Sequence, residues 1–241
     1  MFLKNIPIVL FLFVVVVEAS GQQVPNEEDW SQMPEIITVE SEHQIPSDAI
    51  VLFDGKNLKK WQHADGTEVQ WKIENDVLVI VPGTGDIFTK ERFGDCQLHV
   101  EWMIPEDNYG SGNSGIYLMG RYEVQIFNSY QNATKIYYNG QTGSLYKQHK
   151  PLVNASRPRG KWETFDIIFD APKFDESGKI LKPAKFTVLQ NGVLIQKEAE
   201  LKGITTHEKL TGYEYHRAKE PLMIQDHGDP VRFRNIWIRE L

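Results

Sequence analysis

The chain has a single cysteine, Cys96, so no disulfide can form within it. Cys96 sits in the strand-like run Cys96 to Trp102, where inert burial is expected rather than nucleophilic work. Clusters of Lys and Arg are missing too: 26 basic residues stand against 33 acidic ones, for a net charge of -7. That balance disfavours nucleic acid and anionic membrane surfaces as partners. The apolar run Ile6 to Val17 has twelve residues, where spanning a bilayer takes about 20. No segment shows a convincing 3.6-residue period, and no repeat recurs at a fixed spacing. Also absent are a phosphate-cradling lysine loop, a dinucleotide fingerprint, a paired-cysteine zinc pattern and a His-Glu-x-x-His helix, so no nucleotide cofactor is expected.

What is present suits an exported β-protein. Lys4, the short apolar run and Glu18-Ala19-Ser20-Gly21 read as a secretory signal peptide over residues 1–21, which predicts a periplasmic or extracellular protein with no membrane anchor after cleavage. Residues 22–48 are acidic, carry Pro25, Pro34 and Pro46, and read as an extended lead-in. From residue 49 to 241 short alternating runs are separated by turn residues, such as Trp71 to Glu74 and Val77 to Val81 around Asn75-Asp76. Phe186 to Leu189 reverses at Asn191-Gly192, a strong hairpin signal. Such punctuation predicts one all-β domain, a β-sandwich with the jelly-roll arrangement of two antiparallel sheets.

Two segments carry candidate chemistry. In Tyr122 to Ile126, Tyr122, Val124 and Ile126 point one way and Glu123 and Gln125 the other. A carboxylate beside an amide offers acceptors and donors at the spacing of sugar hydroxyls, which makes carbohydrate the expected ligand; a solvated strand face is the plain alternative. In Pro221 to Ile238, Met223, Gln225 and His227 share a face, and Gly228-Asp229-Pro230 is expected to return the chain as a neighbouring strand, with His227 beside Arg232 or Arg234. A histidine there could exchange protons near neutral pH, or Asp226 and His227 could simply hold the turn. Glu101 lies on a strand of its own, opposite Leu98, Val100 and Trp102. If its strand neighboured that of Glu123, the two carboxylates would face one concavity, as a glycosidase pair must. The scattered histidines leave any metal site to be assembled by the fold.

Taken in order, Phe53-Asp54-Gly55-Lys56-Asn57-Leu58 with Trp61, Glu101-Trp102, Asn113-Ser114-Gly115-Ile116-Tyr117, Tyr122-Glu123-Val124-Gln125, Gly143-Ser144-Leu145-Tyr146, Gln225-Asp226-His227-Gly228 and Phe233-Arg234-Asn235-Ile236 resemble the 3-keto-disaccharide hydrolase family over residues 50–241. The resemblance implies a concanavalin-like jelly roll, related in architecture to lectins and endoglucanases, and cleavage of glycosides whose glucose ring carries a ketone at C3. Met103 and Met119 depart from it, standing where many members carry Arg. A C3 carbonyl acidifies the C2 proton, so a base, an enolate stabiliser and an acid for the leaving group suffice. The implied assignments are His227 or Glu123 as base and Glu101 or Glu123 as acid, with Asn113, Tyr117, Gln125, Gln225 and Arg234 binding the sugar or its enolate. A divalent metal polarising the ketone is an alternative. The substrate would come from an upstream sugar 3-dehydrogenase. Two other readings are a conventional glucan hydrolase, against which Gln125 stands where a second carboxylate would be, and a non-catalytic carbohydrate-binding module.

Overall fold

A computed structural model describes residues 45–107, 110–132, 137–208 and 210–241. The expected signal segment, and the lead-in up to residue 44, lie outside the described residues. The strands are β1 (Ile50–Phe53), β2 (Trp61–His63), β3 (Lys72–Glu74), β4 (Val77–Val79), β5 (Ile87–Phe93), β6 (Cys96–Met103), β7 (Ser114–Leu118), β8 (Tyr122–Ile126), β9 (Glu163–Asp170), β10 (Lys173–Phe174), β11 (Ile180–Lys182), β12 (Lys185–Gln190), β13 (Val193–Glu200), β14 (Glu220–Ile224) and β15 (Arg232–Glu240). Helical structure among the described residues is limited to the short 3-10 turns Tyr130–Asn132 and Tyr138–Gly140.

Two antiparallel sheets make a concanavalin-like sandwich. The larger runs β13-β12-β9-β6-β15-β4-β3, with β1 also on β15, and the smaller runs β2-β5-β14-β7-β8. Period-2 alternation decides which side chains meet between them. Leu98, Val100 and Trp102 of β6 and Phe165, Ile167 and Phe169 of β9 come from the larger sheet; Ile116, Leu118, Tyr122, Val124, Leu222 and Ile224 come from the smaller. The Tyr122 ring lies 5.9 Å from that of Phe169, one contact that fixes the stacking of the two layers. Burial at this depth is worth about 1.5–3 kcal/mol for each large apolar side chain.

The turns follow their residues. Asn75 and Asp76 (φ 51 and 62) join β3 to β4, and Asn191 and Gly192 (φ 54 and 78) join β12 to β13. Asn, Asp and Gly enter the left-handed region at the least steric cost, and two such residues in sequence match the strand twist. The polar stretch after β9 is an excursion carrying the β10-β11 hairpin, and β12 returns to pair with β9.

Candidate active site

β8 is an edge strand, and two loops cover it. Gly143 N–H donates to Gln125 O (2.8 Å) and Gln125 N–H to Ser144 O (3.0 Å), so the segment around Leu145 runs along β8 like a partial extra strand. From another direction Thr205 Oγ1 accepts the Glu123 N–H at 3.0 Å. The coverings turn what would be a wet outer face into an enclosed one. Glu123 and Gln125 are 2% and 3% exposed, which overturns the solvated-face alternative for this strand.

A cavity of about 140 Å³ results, lined by Asn113, Tyr117, Glu123, Gln125, Tyr146, Thr205, Thr206, His207, Gln225 and His227. Strand register brings the polar groups together. Tyr117 faces Glu123 and Gly115 faces Gln125 across the β7-β8 hairpin, while Gln225 N–H extends the β14-β7 pairing by donating to Gly115 O at 3.0 Å. The Gln225 amide donates to Tyr117 Oη (3.3 Å), and the Tyr117 hydroxyl donates in turn to the Glu123 carboxylate. With its NH2 turned inward, Gln125 donates to Glu123 Oε1 (2.9 Å) and Ser114 O (2.8 Å). Burial pushes the Glu123 carboxyl up to about 8, outweighing the Tyr117 hydrogen bond that favours the anion. Burial and the neighbouring Glu123 likewise raise the Tyr117 phenol, keeping it a neutral donor.

His227 reaches the cavity by a route the sequence reading did not anticipate. Gly228-Asp229-Pro230 does not return the chain within one sheet: β14 pairs with β5 and β7, whereas β15 pairs with β6, β4 and β1. The turn is a corner between layers: His227 lines the cavity beside the smaller sheet, whereas Arg232 and Arg234 belong to β15 of the larger one. Asp226 pins that corner, accepting from Gly85 N–H and Gly228 N–H at 3.0 Å each, while its own N–H donates to Asp86 Oδ1 (2.8 Å). Asp229 Oδ2 holds the other flank through Ser111 Oγ (3.1 Å) and Asn113 N–H (2.8 Å). Burial raises the Asp86 carboxyl, and the nearby Asp226 charge adds to the rise.

Six of the eight expected site residues therefore line one cavity: Asn113, Tyr117, Glu123, Gln125, Gln225 and His227. Glu101 and Arg234 do not. They lie on the larger sheet, where Arg234 Nε donates to Glu101 Oε2 at 2.6 Å and Asn235 Nδ2 to Oε1 at 2.9 Å. Glu101 and Glu123 both point away from the core, but from different sheets. They occupy opposite outer faces, with the roughly 10 Å inter-sheet core between them. The expectation of a shared concavity for these two carboxylates is corrected accordingly.

Loop residues complete the wall. Tyr146 Oη lies 2.5 Å from Tyr137 Oη and 3.3 Å from His207 Nδ1, with the Tyr146 and His207 rings stacked. Thr205, Thr206 and His207 sit in segments without periodicity, which gave them no signal in the sequence; Tyr146 stood only inside a family-like block. Among the described residues no group of three or more His, Cys, Asp or Glu side chains is arranged to hold a metal ion.

Residues 48–239 match the family described as the 3-keto-alpha-glucoside-1,2-lyase-like domain. A 3-keto-disaccharide hydrolase from Bacteroides thetaiotaomicron is 24% identical over 266 residues, covering 92% of this chain and 90% of that protein. A solved structure from Parabacteroides distasonis, described as a "putative glycosyl hydrolase", has a TM-score of 0.84 at 42% identity, covering 89% of this chain and 94% of that one. A second protein of that organism and description shares the fold at 22% identity and a TM-score of 0.60, over 80% of this chain and 94% of that one.

Proposed function

The chain belongs to the 3-keto-alpha-glucoside-1,2-lyase-like domain family, and from that premise we propose that it cleaves glycosides oxidised at C3 of the sugar ring, by elimination across C1 and C2 followed by hydration. A glycoside hydrolase-like function is common to the family and its relatives. One observation favours the eliminative route. Among the described residues lining the cavity, Glu123 is the sole carboxylate; Glu208 lines only the adjoining hollow, and Glu101 is on the far face of the sandwich. Conventional glycosidases flank the scissile bond with two carboxyl groups about 5–10 Å apart. The groups that line this cavity suit a substrate whose own ketone activates the C2 proton.

On this route His227 removes the proton from C2 and the electron pair moves onto the C3 oxygen as an enolate. Gln225 and Asn113 supply neutral donors to that oxygen, while the single Tyr117 proton stays hydrogen-bonded to Glu123 and favours the carboxylate left when Glu123 gives up its own. The enolate reforms the ketone, C1=C2 forms and the C1–O bond breaks. The departing oxygen takes the proton of Glu123, which burial keeps on the carboxyl at neutral pH. Water then adds: its oxygen bonds to C1, one of its protons returns to Glu123, and His227 gives its proton back to C2. The products are a 3-keto sugar and the free alcohol. We take the chain to act after export, on the strength of the run Ile6 to Val17 and the small residues that follow it. An upstream sugar 3-dehydrogenase belongs to the same proposal, because the ketone must be installed first.

The test is nitrophenol release from p-nitrophenyl 3-keto-β-glucoside and from its unoxidised parent, with and without a chelator. Release from the keto compound alone supports the reading, and release from neither sinks it. Loss of that release with the chelator would assign part of the ketone activation to a metal.

A further inference from the structure

Beside the Glu123 cavity lies a second one that the proposed chemistry does not use. It encloses about 380 Å³ and shares two wall residues, Tyr146 and Thr206, with the first. At about 140 Å³ the Glu123 cavity falls short of the ~300–1,000 Å³ that ligand pockets usually enclose. It has room for the reacting ring but not for a whole glycoside, and the missing space opens across Tyr146.

The two cavities differ in chemistry. Polar side chains dominate the first, whereas in the second Tyr137, Ile204 and Leu210 add apolar surface to a wall that also carries Asn139, Lys147, Gln148 and Glu208. Tyr137 and Leu210 are 45% and 43% exposed, although side chains of this kind gain most from being covered. Tyr137 is nevertheless fixed in place. Its hydroxyl is 2.5 Å from that of Tyr146, and Lys147 Nζ sits 5.6 Å from the Tyr137 ring centroid and 5.7 Å from that of Tyr146. Lys147 is held in turn by donation from Nζ to His207 O and from its own N–H to Asn139 O (2.7 Å). An exposed aromatic ring braced by a cation and a half-buried neighbour is preorganised to stack on a ligand.

We propose that this second cavity is the leaving-group subsite, and that it selects aglycones with an apolar ring face, stacked on Tyr137 and bordered by Leu210. This rests on the reading of the Glu123 cavity as the place where the oxidised sugar sits. Tyr146, common to both walls, then marks where the glycosidic oxygen passes from one to the other. A phenol and a second pyranose both present such a face, and the experiment separates them.

The experiment compares kcat/KM for methyl, phenyl and glucosyl 3-keto-β-glucosides in the native chain and in the Tyr137→Ala, Tyr137→Phe and Leu210→Ala variants. The native chain is expected to favour at least one ring-bearing leaving group over methyl by about tenfold. Tyr137→Ala should collapse that ratio, Leu210→Ala should lower it, and Tyr137→Phe, which keeps the ring, should retain it. Tyr138→Ala, one residue along, serves as the control that leaves it unchanged. The larger ratio, phenyl or glucosyl, identifies the aglycone class. Equal rates for the three leaving groups, or a Tyr137→Ala loss that is uniform across them, would overturn the subsite. If no keto-glucoside turns over, calorimetric titration with the unoxidised methyl, phenyl and glucosyl glucosides still decides. Tighter binding of a ring-bearing compound that Tyr137→Ala abolishes upholds the subsite while the reaction assignment falls, and equal binding removes both.

Discussion

Gly115 and Glu123 compete for one space: a Cβ placed on residue 115 would lie 2.4 Å from Glu123 Oε1 and 2.8 Å from Tyr117 Cε2. The bare backbone of β7 is what lets the carboxyl of the neighbouring strand fold down beside its Tyr117 donor. Gly115 needs no unusual φ, so its role is space rather than backbone freedom. Gly115→Ala is therefore expected to cost about 1–3 kcal/mol through overpacking and to push Glu123 out of line. The check is thermal unfolding together with turnover of a 3-keto-glucoside. A variant with native kcat would mean that the Glu123 position does not matter to the chemistry.

Glu123 also makes a pH prediction with a definite sign. An unfolded glutamate releases its proton near 4.5, whereas burial holds the folded one up to about 8. Between those values the folded chain carries a proton that the unfolded chain has lost, so this group makes stability fall as pH rises from about 4.5 to about 8. Glu123→Gln should flatten that decline, with a gain on the order of a few kcal/mol at the alkaline end. Denaturant midpoints at pH 5 and pH 8 measure it. Activity should fall as well, since the proposed acid is gone. The loss should be large for an alkyl or sugar leaving group and small for nitrophenol, which departs without help. An equal loss for both would remove Glu123 from the acid role.

His227→Ala should lower kcat by about 10²–10⁴-fold while sugar affinity changes little, because the proposed base acts after binding. His207 lines the same cavity but is tied to Tyr146 Oη at 3.3 Å. His207→Ala is accordingly expected to raise KM more than it lowers kcat. Steady-state kinetics on the two variants compares them directly, and the reverse pattern would move the base to His207.

The sequence carried the faces of the strands far better than their partners. Alternation in Tyr122 to Ile126 and in Met223 to His227 was legible because a strand has period 2, and six candidates from those strands and their neighbours do meet in one cavity. Glu101 obeys the same alternation on β6, yet it faces away on the other side of the sandwich. Nothing local distinguishes the outer face of one sheet from that of the other, since both are opposite apolar residues; only pairing over long separations decides. The Gly228-Asp229-Pro230 corner was misread for a related reason, because a turn signal does not say whether the chain re-enters its own sheet. Thr205, Thr206 and His207 were invisible because loops have no periodicity to read.

The cluster around Glu101 is expected to act on stability and not on turnover. Burial alone would raise its carboxyl, but the His99 imidazole 3.9 Å away and hydrogen bonds from Asn235 and Arg234 hold it down to about 2. Asn235 joins Arg234 on this carboxylate because β15 bulges between Arg234 and Trp237, with Asn235 at φ 45. His99 is opposite in sign: burial pulls its imidazole down, while a hydrogen bond to Asp166 and the nearby charges of Asp166 and Glu101 override it and raise it to about 9. Stability from Glu101 is thus present above about 4.5 and is lost as pH falls towards 2. Stability from His99 is complete below about 6.5 and is lost as pH rises through 9. The pairs are partly open to water, with Arg234 lying across the Trp162 ring, so the Coulomb energy is screened. Glu101→Gln is expected to cost about 1–2 kcal/mol near neutral pH and to weaken the acid-side fall in the unfolding midpoint, with kcat on 3-keto-glucosides unchanged. A large loss of turnover in a well-folded Glu101→Gln chain would instead demand a functional link through the core, since no side chain on this face reaches the Glu123 cavity among its described lining residues.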